Sequence, residues 1–191
     1  MRRLFVAIWL LCQFVLLSAQ PIDDGYVSIN GLKKSLGVNM EFKVPEGWKE
    51  KQSDLPHIVK SYHSNGAVFN VMILESRTFI SRNEFREQQV DNILTLLRTE
   101  FRNDPDVIEF TELGHSLVNI DKYPFVVISS EEVRKSYYSQ VKSKALRYYT
   151  CYEDRIIAIN FFDLFADPKS FSSSVAYITA SIRFPDQYSV Y

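Results

Sequence analysis

Residues able to do chemistry crowd together once in this chain, from Arg134 to Arg147, where RKSYYSQVKSKALR holds five basic side chains and no acidic one. Cations at this density attract carboxylates and other anions, and an exposed tyrosine adds an apolar anchor with a polar tip. If the segment is extended, Tyr137 and Tyr138 point to opposite sides, because successive strand side chains alternate. Two readings stay open. The lysines guard a strand end against edge-to-edge pairing. Alternatively, Arg134, Lys135, Tyr137, Tyr138, Lys142, Lys144 and Arg147 form a docking surface for an acidic partner, an envelope protein or an acidic glycan.

The other reactive residue types are dispersed. His57, His63 and His115 have no cysteine or close carboxylate pair at ligand spacing, so a solvated or hydrogen-bonded role is expected, with no metal and no cofactor. The pairs Asp23-Asp24, Glu131-Glu132 and Glu153-Asp154 are adjacent in sequence. Strand neighbours face opposite ways, so adjacency makes no acid–base pair, and solvated loops are expected for all three. Cys151 sits in an apolar stretch with no basic cluster or histidine beside it, the setting of a small buried hydrophobe. Trp48, in a turn, either plugs the end of a core or rims a ligand pocket. No Gly-rich phosphate loop, G-x-S-x-G elbow or H-E-x-x-H helix occurs, and a non-catalytic protein is expected.

The chain opens with Arg2 and Arg3, an apolar run from Leu4 to Leu17 broken by Gln13, and then Ser18-Ala19-Gln20. This is the composition of a secretory signal cleaved after Ala19. The run is short for a bilayer-spanning helix of about 20 residues, although an uncleaved anchor is the competing reading. The expectation is a leader at 1–19, one domain at 20–191 with no transmembrane segment, and export to the periplasm or beyond. Losing Arg2 and Arg3 moves the formal charge from −1 to −3, which argues against nucleic acid as a partner. Cys151 is then the one cysteine left, so no internal disulfide forms and the core must hold the fold; a hydrophobic content of 46% suits that.

The elements that would position these residues centre on Leu146 to Phe162, LRYYTCYEDRIIAINFF, read as two strands joined at Glu153-Asp154. Ile156 and Ala158 on one side and Ile157, Ile159 and Phe161 on the other are all apolar, as in a sheet covered on both faces. Val38, Met40, Phe42 and Val44 alternate with polar residues, predicting a strand toward the sheet edge. Ile58–Tyr62 and Ala67–Ser76 flank Asn65-Gly66, a strong hairpin signal, and the second of these is apolar on both faces. Ser81 and Glu84 make a capping box for a helix whose stripe is Phe85, Val90, Ile93, Leu94, Leu97 and Phe101. Strands are expected at Val107–Glu112, Ser116–Ile120 and Phe125–Val133. Asp167 and Pro168 start a second helix with Phe171, Val175, Ile178 and Ile182 on one face. The order predicts an α/β fold, a mainly antiparallel sheet with helices on both faces. The alternative places both helices on one face.

The segment Phe42-Lys43-Val44-Pro45-Glu46-Gly47-Trp48, the hairpin, the long helix, the strand run containing Val118-Asn119-Ile120-Asp121-Lys122-Tyr123-Pro124 and the C-terminal helix resemble the PsbP-like superfamily. That superfamily includes extrinsic photosystem II proteins and DcrB-type bacterial envelope proteins. The resemblance covers nearly all of the chain after the leader, at the level of element order. It implies an α/β/α sandwich serving as a binding scaffold with no common active site, so no functional residue transfers. The function expected is that of an exported accessory protein that docks to another envelope protein. The alternatives are a carrier of a small apolar ligand between sheet and helix, and an enzyme built on an unrecognised site.

Overall fold

A computed structural model of the chain describes residues 25–75, 87–135, 139–164 and 167–185. The expected leader, the Ser81–Glu84 cap, Phe85, Tyr137 and Tyr138 lie outside these residues, as does the side chain of Phe101. The strands are β1 (Tyr26–Ser28), β2 (Glu41–Lys43), β3 (Lys49–Glu50), β4 (Ile58–Ser64), β5 (Ala67–Glu75), β6 (Val107–Ile120), β7 (Tyr123–Lys135), β8 (Gln140–Tyr152) and β9 (Arg155–Asp163). A 3-10 turn spans Lys33–Ser35, and the helices are α1 (Glu87–Asn103) and α2 (Pro168–Ser181).

Seven strands form one sheet in the order β3-β4-β5-β9-β8-β7-β6, every pairing antiparallel. The β8–β9 hairpin is at its heart, turning at Glu153, where φ is 54°. The hairpin at Asn65-Gly66 takes φ of 42° and 84°, the left-handed values that Asn and Gly tolerate. Helix α2 begins as its sequence dictates: Asp167 Oδ2 accepts the Ser170 N–H at 2.8 Å, and Pro168 follows where no amide is needed.

The helices cover opposite faces. Val175 and Ile178 of α2 join Phe42, Phe69, Phe125, Phe161 and Phe184, all fully buried. Phe69 stacks on Phe161 at 5.0 Å and meets Phe42 edge-on at 5.2 Å. Burying each such ring contributes about 1.5–3 kcal/mol. Val90, Ile93, Leu94 and Leu97 of α1 pack on Val126, Ile128, Tyr149, Cys151 and Ala158 across the sheet. Facing clusters on alternate residues of β9 exclude the arrangement with both helices on one side.

Two expectations need correction. The Val38–Val44 alternation buries Val38, Met40 and Phe42 as read, but β2 pairs with β1 in a separate two-stranded sheet instead of edging the main one. It is tied to the chain after α2 by Glu41 and Arg183, whose backbones bond in both directions at 2.9 Å. The strands expected on either side of Leu113-Gly114-His115 are one strand, because β-bulges at Val107/Glu109 and Glu112/Gly114 absorb the extra residues.

Candidate functional site

The basic segment Arg134–Arg147 spans the end of β7 and most of β8, and strand alternation divides it. Lys142 and Lys144 lie opposite Val133 and Glu131, and both reach Glu131, at 2.7 and 3.9 Å. Their side chains are 65% exposed. The hydrogen bond from Lys142 holds the Glu131 carboxyl below its usual range, and the same bond raises the lysine. Lys135 is exposed at the end of β7.

Arg147 faces the other way and is a correction to the docking surface: at 4% exposure it belongs to the interior. Its guanidinium donates to Ser130 Oγ at 2.7 Å, pairs with Glu132 and lies 5.1 Å from the Phe162 ring. Glu132, fully buried, also accepts from Arg134 Nε at 3.2 Å, and Arg134 reaches Asp104 Oδ2 at 2.9 Å. Glu131 and Glu132 are therefore not loop residues. They are consecutive strand residues that serve opposite faces, each answering cations of β8. The seven expected residues do not make one patch. Lys142 and Lys144 share a surface, Arg134 and Arg147 sit on the reverse, and the two tyrosines lie outside the described residues.

His57 is half-buried just before β4, and its backbone carbonyl accepts the Ile73 N–H at 3.0 Å. Burial pushes the Cys151 thiol up to about 12, which leaves it un-ionised at neutral pH. His115 Nδ1 lies 3.0 Å from Glu112 Oε1 on the surface, and His63 Nε2 lies 3.2 Å from Ser61 Oγ. No group of three metal-ligating side chains occurs among the described residues. Trp48 is half-buried and packs against the aromatic core, the plug reading of that residue. A cavity of about 520 Å³ between α1 and β6 sets Arg98, Arg102, Glu109 and Glu112 beside Val107, Ile108 and Phe110, so a wholly apolar cargo there would meet four charged side chains.

Sequence reasoning missed two features. One is the edge strand β6, where Ile108, Leu113, Leu117 and Val118 are 43, 55, 42 and 37% exposed. Its mixed pattern, apolar without a clean period, was the available signal. The other is a polar row on the α1 face. Asn70, Asn160 and Arg147 are direct cross-strand neighbours on β5, β9 and β8, and the amide oxygens of both asparagines are buried without a hydrogen-bond partner among the described residues.

An antiparallel sheet sandwiched between helices, with a small second sheet beside α2, defines the class. Its fold is PsbP-like. The chain is similar to cyanobacterial PsbP (CyanoP) from Synechocystis sp. PCC 6803, with a TM-score of 0.59 and 10% identity over 87% of this chain and 96% of that one. It is also similar to LpqN, involved in cell envelope biogenesis of Mycobacterium tuberculosis, with a TM-score of 0.50 and 10% identity over 83% of this chain and 89% of that one. No protein-family model matches the sequence, and no curated protein matches it. At this identity the likeness establishes the fold.

Proposed function

We propose that this is an exported, non-catalytic accessory protein that binds another envelope protein along the β6 side of its sheet. The observation that carries the reading is β6 itself. It is an edge strand of 14 residues, paired on one side only among the described residues, with four large apolar side chains more than a third exposed. Such an edge offers a row of unpaired backbone groups flanked by apolar surface, the arrangement that accepts an added strand. Lys135, Lys142 and Lys144, with Tyr137 and Tyr138 between them in sequence, steer an acidic segment of the partner toward that side. The leader-like N-terminus and the envelope role printed for LpqN support export.

The test is a pull-down from the envelope fraction of the native host, comparing wild type with Leu113→Asp/Leu117→Asp and Lys142→Glu/Lys144→Glu. The edge variant is expected to lose a partner that the wild type retains. The lysine variant is expected to weaken capture most at low salt, because surface charges are screened over about 8 Å at physiological ionic strength. An edge variant that melts normally and keeps every partner overturns the proposal.

A further inference from the structure

We propose a second site at the opposite edge of the sheet: the cavity between the Lys33–Ser35 turn and the β3–β4 edge binds a phosphate-bearing small molecule. The cavity holds about 550 Å³, a volume typical of small-molecule sites, which run from roughly 300 to 1,000 Å³. Among the described residues, Lys33, Lys34, Lys51 and Lys60 line it against a single carboxylate, Glu50, a net charge of +3 in a chain of formal charge −1.

Local structure holds these cations in place. Lys34 Nζ donates to the backbone oxygens of Ser53 and Leu55 at 2.7 and 2.9 Å, which pins the loop after β3 beside the turn. Lys60 pairs with Glu50 at 2.7 Å, and Glu50 also accepts from the Tyr62 hydroxyl at 3.3 Å, so the one carboxylate of the wall is already engaged. The ammonium groups of Lys33 and Lys51 have no carboxylate or hydrogen-bond partner among the described residues, and both side chains are exposed. Lys60, paired with Glu50, and Lys34, held by two carbonyls, thus frame two available cations.

The charge of the wall selects the ligand. A lysine ammonium is a compact point charge that binds phosphate without needing a planar partner. A phosphomonoester carries roughly −1.5 to −2 at neutral pH, so it answers the lysines lining this volume better than a singly charged carboxylate does. Leu32, Ile58 and Val59 supply an apolar wall beside the charged one. The ligand therefore joins a phosphate head to an apolar body. A free phosphomonoester and a phospholipid head group share that chemistry.

The purified protein is titrated with inorganic phosphate, with hexyl phosphate, and with phosphatidylcholine vesicles with and without phosphatidic acid. Hexyl phosphate is expected to bind saturably and more tightly than inorganic phosphate. Lys33→Gln/Lys51→Gln, melting like wild type, should weaken it by about tenfold or more, the scale of a lost charge-assisted hydrogen bond. A Lys122→Gln/Lys169→Gln control, removing exposed lysines elsewhere, should leave binding unchanged. Binding confined to vesicles with phosphatidic acid, and lost with Lys33 and Lys51, supports the phosphate chemistry with a lipid as its source. Absence of saturable binding to every probe, or equal weakening in the control, overturns the proposal. Neither outcome touches the partner pull-down, which reads the β6 edge alone.

Discussion

The two faces of the sheet are built from different materials. Under α2, five phenylalanines are fully buried, joined by Val71, Ile73, Ile157 and Ile159, and the buried Thr150 hydroxyl on that side donates to the Pro124 carbonyl at 2.8 Å. Under α1, the aliphatic patch gives way along β5, β9 and β8 to Asn70, Asn160 and Arg147, with Ser130, Glu132 and Ser143 beyond them. The first face gains from apolar burial with little polar cost. The second keeps ionic and amide groups out of water, and each buried amide oxygen left unpartnered costs about 1–3 kcal/mol. Stability is concentrated on one face and polar constraint on the other.

The largest effects separate the faces. Arg147→Met takes the buried cation from Glu132 and leaves it only the half-exposed Arg134 among the described residues, which is expected to cost about 3–5 kcal/mol. Phe69→Ala is expected to cost about as much, roughly 3–5 kcal/mol, through a cavity between Phe42 and Phe161. The distinction is in rescue. Adding Glu132→Leu to Arg147→Met removes the carboxylate that Arg134 alone would then answer, and most of the loss should return in urea melts. If the double variant is as unstable as the single one, the pair is not the buried ionic unit that defines the polar face.

A smaller contrast tests how α1 covers that face. Leu97→Ala deletes a side chain that is 4% exposed and should cost about 2–5 kcal/mol. Arg98→Ala removes only an exposed pair with Glu112, 3.0 Å long, and should change stability by no more than about 1 kcal/mol. Equal, small changes in denaturant melts would mean that α1 does not seal the sheet through its Val90–Leu97 stripe.

Much of this architecture was legible because its signals are local. The Asn65-Gly66 turn, the Asp167-Pro168 helix start and the apolar stripes of α1 and α2 each need only a few consecutive residues to declare themselves. Covering on both faces could be read from β9, where odd and even residues are both apolar. Other features depend on distant partners. Nothing within Glu41–Lys43 says that it pairs with Tyr26–Ser28 and not with the main sheet. The bulge at Gly114, where φ is 154°, hides the continuity of β6 behind a turn-like tripeptide. The division of the basic segment needed the β7–β8 register, which aims Glu131 and Glu132 at different cations. The lysine cavity was least legible. Lys33, Lys34, Lys51 and Lys60 share no period, and they meet because Lys34 holds the loop beyond β3 by two carbonyls.

The smallest predicted effect is at His63, on the polar face next to the lysine cavity. Burial first, and then the positive charge of Lys51, hold its imidazole below the ordinary value of 6.5. Lys49 lies directly across from it on β3, and Ser61 Oγ sits 3.2 Å from its Nε2. Because the folded-state pKa is depressed, the unfolded chain takes up this proton first. The residue therefore takes stability away as pH falls from 6.5 to the folded value, and its effect is constant below that. Lys51→Gln removes the second cause and leaves the first, so the His63 midpoint in an NMR titration should rise part of the way back toward 6.5. The acid side of the stability curve should flatten with it. A phosphate held near Lys51 would move the midpoint in the same upward direction in the wild type. If the midpoint in Lys51→Gln stays at the wild-type value, burial alone sets it, and the field of Lys51 does not extend from the cavity to the polar face.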